Sequence, residues 1–119
     1  MSLYKSIDEI IGKTPLAELS KIKEINNLES NIFAKLEYFN PAGSAKDRVA
    51  YAMLLKAKED GLLKKDTVII EPTSGNTGVG LSAVAARWGY RVVICMPETM
   101  SVERRLLMRA YGAELVLTE

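Results

Sequence analysis

The chain contains no histidine, which removes Ser-His and Cys-His nucleophile pairs, histidine zinc sites and imidazole acid-base chemistry. Proton transfer therefore falls to Lys, Tyr, Asp or Glu, and no metal site is expected. A single cysteine, Cys95, excludes an intrachain disulfide and suits a reducing compartment. It lies in the apolar run Val92-Val93-Ile94-Cys95-Met96 and reads as a core residue, with nothing basic beside it in sequence to activate the thiol. An excess of either charge is also missing, with 16 basic residues against 15 acidic. No basic run is interleaved with aromatics, so nucleic acid and anionic membrane are not expected partners. No apolar run approaches membrane-spanning length, and the charged stretch from Met1 to Glu9 is unlike a signal peptide. A soluble, cytoplasmic protein is the expectation.

What the chain does have is 119 residues, 48% of them hydrophobic, enough for one globular domain. Such a domain buries roughly two-thirds of its unfolded surface. Ser6 and Glu9 form a capping-box pattern for a short helix to Ile11, before Gly12 and an extended Thr14-Pro15-Leu16. Residues 20–30 read as a polar loop. Residues 31–39 read as a strand with Ile32, Ala34, Leu36 and Tyr38 on one face. Ser44 is placed to cap a helix with Val49, Ala50, Met53, Leu54 and Ala57 on one stripe, stopped by Gly61. Strands follow at 67–71, 91–96 and 114–118. Between them come a small-residue helix from Gly78 to Trp88, ended by Gly89, and a helix capped by Ser101 and stopped by Gly112.

This alternation, with strands too apolar to face water, predicts an α/β fold: a three-layer parallel sheet of about four strands with helices on both faces. Residues 1–30 form an amino-terminal helix and extended segment, and 31–119 the α/β domain. In such a sheet ligands bind outside the carboxyl ends of the strands, where Lys46, Asn76 and Thr99 all fall.

Two polar loops carry the chemistry, and each follows a strand and opens a helix. Asn40-Pro41-Ala42-Gly43-Ser44-Ala45-Lys46-Asp47-Arg48 presents a lysine near a helix amino terminus. To be nucleophilic near neutral pH that amine must lose its proton, and the helix dipole contributes only about 0.3–1 kcal/mol toward this. Burial or a bound electrophile must supply the rest, so position alone does not make Lys46 reactive. Asp47 and Arg48 read as a local pair or as surface contacts. The second loop, Glu71-Pro72-Thr73-Ser74-Gly75-Asn76-Thr77-Gly78, offers backbone N–H groups and side-chain donors to an anion such as a carboxylate or phosphate. Alternatively, Asn76 or Thr77 simply caps the helix. Gly78-Val79-Gly80-Leu81-Ser82-Ala83 also matches a dinucleotide pattern, with Glu98 downstream for a ribose. That pattern, however, needs its first glycine at the strand end, whereas loop residues here separate Pro72 from Gly78.

The two loops, together with Gly12-Lys13-Thr14-Pro15-Leu16, Met96-Pro97-Glu98-Thr99-Met100-Ser101, Glu103-Arg104-Arg105 and Gly112-Ala113-Glu114-Leu115-Val116-Leu117-Thr118, closely resemble the cysteine synthase (O-acetylserine sulfhydrylase) family. These are pyridoxal-phosphate enzymes of fold type II, and the resemblance runs through essentially the whole chain in order. One departure is Ala45, where valine is commoner.

The resemblance implies that Lys46 carries pyridoxal 5'-phosphate covalently and then acts as the base at the substrate's Cα. It implies that Asn76 bonds the cofactor's ring hydroxyl, and that Thr73, Ser74, Gly75, Asn76 and Thr77 surround the substrate's α-carboxylate. The implied reaction eliminates acetate from O-acetylserine and adds sulfide at the same carbon, giving cysteine and acetate, in a homodimer. It would place strand 114–118 between 31–38 and 91–96. Family members are longer, and their second lobe holds the cofactor phosphate. This chain is therefore expected to be an amino-terminal portion, with weak cofactor binding, little activity alone and a tendency to self-associate. A non-catalytic self-associating module and a cystathionine β-synthase-like fragment are the alternatives. A dehydratase fits less well, because that group favours an aromatic before the lysine.

Overall fold

Continuous apolar runs separated by glycine-stopped helices build the larger sheet. Strand β3 (Val68–Pro72), helix α3 (Asn76–Trp88), strand β4 (Arg91–Pro97), helix α4 (Val102–Ala110) and strand β5 (Glu114–Thr118) succeed one another in a computed structural model that describes residues 3–119. β3 pairs in parallel with β4, and β4 with β5, setting Ile69 opposite Val92 and Ile94 opposite Leu115. The strand order β3-β4-β5 runs in one direction. Right-handed crossovers then bring α3 and α4 to the same face.

Burial follows that geometry. Val92, Ile94 and Met96 of β4 point into a core with Leu81, Val84 and Ala85 of α3 and Met108 of α4. On the opposite face Ile70 is 65% exposed and Val116 48%. Cys95 is half-buried there, a free thiol on the open side of β4 and not the core residue expected from its apolar run. The α/β class and the parallel sheet stand as expected. Among the described residues, however, the sheet has three strands and its open face is not covered by helices.

Helix α2 (Lys46–Glu59) lies against α3. Its buried residues are Asp47, Ala50 and Leu54, so the inward stripe includes a charged residue at its start. Val49 and Met53, expected on that stripe, are 41% and 45% exposed. Gly80 allows the close crossing: a Cβ there would lie 3.1 Å from both the Ala50 Cβ and the Lys46 backbone oxygen. Farther along, the ring of Tyr51 meets that of Trp88 edge-on at 5.7 Å.

The amino-terminal part departs most from expectation. Residues Ile7–Ile10 form a 3-10 turn with Ser6 at its cap position but without a side-chain capping bond. Strand β1 (Leu16–Glu18) pairs antiparallel with β2 (Phe33–Lys35), and the expected loop between them contains helix α1 (Ser20–Ile25). The alternation read over 31–39 is real, since Ile32, Ala34 and Leu36 are half-buried, but its partner is β1 and not the parallel sheet. The strand then gives way to a 3-10 turn at Glu37–Phe39. Consequently β5 has β4 as its single sheet neighbour and does not lie between β4 and the 31–38 segment.

The molecule is elongated, measuring 55 × 37 × 24 Å with a radius of gyration of 17.4 Å. A compact domain of this length would have a radius of about 13.5 Å. Its accessible surface is 7930 Å², against about 6,400 Å² for a folded monomer of its mass. The excess fits the open face of the sheet.

Candidate active site

The lysine loop is held by a polar network that links three segments distant in sequence. Asn40, itself buried, accepts the Gly12 N–H at 2.8 Å and donates its amide to the Glu37 carboxylate at 2.8 Å. Arg48 grips the same carboxylate through Nε and Nη2, both at 2.9 Å, and also donates to the Gly12 carbonyl at 2.8 Å. Gly12 has φ +83°, and a Cβ there would lie 2.7 Å from Arg48 Nη1. Arg48 thus pairs with Glu37, while Asp47 faces inward; the expected local pair between Asp47 and Arg48 does not form. Lys46 is the first residue of α2 and is exposed. Its N–H donates to Ser44 Oγ at 3.1 Å, although Ala45 holds the cap position expected for Ser44.

The hydrogen bonds from Arg48 hold the Glu37 carboxyl at about 2, below its ordinary 4.5, with further bonds from Asn40 and Thr14 in the same direction. A depressed carboxylate stabilises the fold fully above its unfolded value, and that contribution is lost as pH falls from about 4.5 through about 2. Glu37→Gln is therefore expected to flatten the acid limb of the stability profile, seen as a smaller change in midpoint between pH 6 and pH 3 in chemical denaturation. Equal acid sensitivity in the variant would show that the network contributes nothing.

The second loop leaves β3 at Pro72. Thr73 donates its N–H to the Cys95 carbonyl at 3.1 Å, and Thr73 Oγ1 accepts the Gly75 N–H at 3.3 Å. Helix α3 then starts at Asn76 behind the cap residue Gly75, and no side chain caps it. By contrast, Ser101 caps α4 by accepting the Arg104 N–H at 3.4 Å. Asn76 and Thr77 are thus not consumed as caps, which leaves the start of α3 as an N–H-bearing, positively polarised end. Gly78 lies inside the helix, where a Cβ would come within 2.9 Å of Thr73 Cγ2 and Met108 Cε. It serves the packing of α3 on α4, not the strand-end turn that a dinucleotide site requires.

A cavity of about 280 Å³ opens beside this loop at the carboxyl ends of all three parallel strands, lined by Thr73, Ser74, Cys95 and Thr118 among others. Thr99 lies outside that lining. The Glu98–Met100 turn next to it is tied to α4 by Arg105, which donates to the Met100 carbonyl at 2.7 Å and to that of Glu98. Arg104 adds a group that sequence reasoning did not single out, its Nη1 donating to the Ser74 carbonyl at 3.5 Å. Its place in the first turn of the helix after β4 was the available signal.

The crossing at Gly80 brings the two loops together. Lys46 begins α2 against Gly80, four residues into α3, so the start of α2 lies about 6 Å along α3 from Asn76. Thr73, Ser74, Gly75 and Thr77 are half-buried around that end, while Lys46 and Asn76 are exposed. Among the described residues no group of three or more His, Cys, Asp or Glu is placed to hold a metal ion, and no helix is long and apolar enough to cross a membrane.

The fold is a parallel α/β layer in which a lysine-bearing helix start packs near an uncapped helix start. The chain belongs to the pyridoxal-phosphate dependent enzyme family, whose model matches residues 7–119. It is 53% identical over 118 residues to a probable cysteine synthase of Bacillus subtilis (strain 168), covering 99% of this chain and 37% of that protein. A cysteine synthase of Staphylococcus aureus (strain Mu50 / ATCC 700699) is 54% identical over 113 residues, covering 95% of this chain and 36% of that protein. The crystal structure of a cysteine synthase from Entamoeba histolytica superposes with a TM-score of 0.93 at 52% identity, covering 99% of this chain and 36% of that one. The chain thus spans a little over a third of the length of these relatives.

Proposed function

We propose that this sequence supplies the lysine loop and the substrate cradle of a cysteine synthase, which replaces the acetoxy group on Cβ of O-acetylserine by sulfide to give cysteine and acetate. The observation that carries the proposal is the packing of the Lys46 backbone against Gly80, one turn into α3, which brings the lysine-bearing start of α2 near the uncapped start of α3. These residues fit pyridoxal phosphate. The amine suits its aldehyde, and the Asn76 amide suits its ring hydroxyl. When bound, the cofactor supplies an electron sink for the carbanion chemistry.

In this reading the chain's residues bind, orient and move a proton. Lys46 Nζ would hold the cofactor and would serve as the base for the proton on the substrate's Cα. The N–H groups and side chains of Thr73, Ser74, Gly75, Asn76 and Thr77 hold the α-carboxylate, which fixes the Cα–H bond toward the amine. Charge-assisted bonds to a carboxylate are the stronger kind, so the cradle also sets substrate register. A cytoplasmic setting belongs to the same reading, since Cys95 is a free thiol. Titration of O-acetylserine into isotopically labelled chain tests the cradle. Amide shifts confined to residues 73–78 are expected, and unchanged amides there would remove the carboxylate role.

The open face supports a second reading for the chain alone, a self-associating module. Ile70 and Val116 lie exposed around Cys95, and burial of apolar area is worth about 25 cal/mol per Å². Sedimentation velocity is expected to show a concentration-dependent dimer. A single monomeric species at high concentration would contradict it.

A further inference from the structure

Asp47 is the residue that this function leaves unused, and its surroundings are unusual for a carboxylate. It is the second residue of α2, yet it is 1% exposed. It lies under the crossing with α3, where a Cβ on Gly80 would come within 3.4 Å of the Asp47 Cα. Its Oδ2 accepts the Ala42 N–H at 2.6 Å, closing the Ala42–Asp47 stretch into a ring. Oδ1 has no hydrogen-bond partner among the described residues. Burial pushes its carboxyl up, against the opposing pull of the Ala42, Ser44 and Asp47 N–H groups.

An aspartate serving only the helix dipole would sit on the surface of the first turn, in water. A buried carboxylate is costly unless its bonds fix something. Here the bond fixes the backbone from Ala42 to the residue just before Asp47. We propose that Asp47 is a positioning residue that sets where Lys46 leaves the backbone, and so holds its amine at the carboxyl edge of the sheet. The inference rests on the proposed role of Lys46. Asp47 itself touches neither cofactor nor substrate in this scheme.

The test uses the whole chain, pyridoxal phosphate and borohydride. The aldehyde carbon and a lysine Nζ condense with loss of water, and hydride from borohydride fixes the bond as a secondary amine, which peptide mapping locates. Asp47→Asn keeps an acceptor for the Ala42 N–H and is expected to stay within about twofold of the unmodified chain in Lys46 labelling. Asp47→Ala removes the acceptor, and labelling at Lys46 relative to other lysines is expected to fall about 10- to 100-fold, as misplacement of a reacting group does. Unchanged selectivity in Asp47→Ala would overturn the proposal. Failure of Lys46 to label in the unmodified chain would instead overturn the reading beneath it. Hydrogen exchange in the unmodified chain gives an independent readout should Asp47→Ala not fold. The Ala42 amide is expected to be the best protected of residues 42–45, and rapid exchange there would overturn the positioning role.

Discussion

Lys46→Ala is expected to reduce borohydride-trapped pyridoxal phosphate to the low level of scattered surface lysines, while leaving the fold intact. The two halves of that expectation have separate causes. Lys46 is exposed at the start of α2, and substitutions at such surface positions change stability by less than about 0.5 kcal/mol. Its amine, by contrast, is the reacting atom in the proposed function, so its removal takes away the specific adduct. Lys46→Arg separates charge from chemistry. A guanidinium keeps the positive charge but remains protonated and does not condense with the aldehyde, so the trapped adduct is expected to be lost in this variant too. Undiminished adduct in Lys46→Arg would place the reaction at another lysine.

The second large effect is on packing. In Gly80→Val the Cβ alone would already lie 3.1 Å from the Ala50 Cβ and the Lys46 carbonyl oxygen, and the two methyl groups extend from it. One of those contacts is backbone, so rotamer adjustment cannot relieve it, and α2 must move off α3. Overpacking of this kind costs about 1–3 kcal/mol. A valine gains only a few tenths of that back in helix propensity over glycine. The melting temperature is expected to fall by about 5–15 °C. Gly80→Ala is the informative intermediate, because its propensity gain of about 0.8–1 kcal/mol opposes the two tight Cβ contacts without the added methyl groups. An unchanged melting temperature for Gly80→Val would mean that the two helices do not meet as closely as described.

The parts legible in the sequence were those whose signals are local. Strand β5 occupies the predicted residues, α3 ends just before Gly89, and α4 ends at Ala110, two residues before Gly112. Both loops were recognisable as polar stretches that open a helix, but only the second leaves a parallel strand directly; the lysine loop follows the 3-10 turn Glu37–Phe39. What was hidden depends on contacts between distant residues. The pairing of β1 with β2 joins three-residue segments without a hairpin turn, so the alternation at 32–36 gave a face but no partner. Helix α1 is short and has no buried residue, with Ile22 and Ile25 outward, so its window lacked an apolar stripe. Cys95 was misplaced because a continuous apolar run does not tell which face of a strand is covered.

The same limit applies to the site. Arg48 sits beside Asp47 in sequence but bonds to Glu37 and Gly12, and nothing in the local pattern reveals that. Gly80 read as one small residue among several in α3. Its role in joining the loops emerges from the helix crossing alone.

The central claim is that the lysine loop and the α3 start form one site. It is tested most directly by comparing amide spectra of the isotopically labelled chain before and after reductive attachment of pyridoxal phosphate, with the attachment point mapped. The account predicts attachment at Lys46 accompanied by shifts at both 44–48 and 73–78. Attachment at another lysine, or at Lys46 with residues 73–78 unmoved, would contradict it.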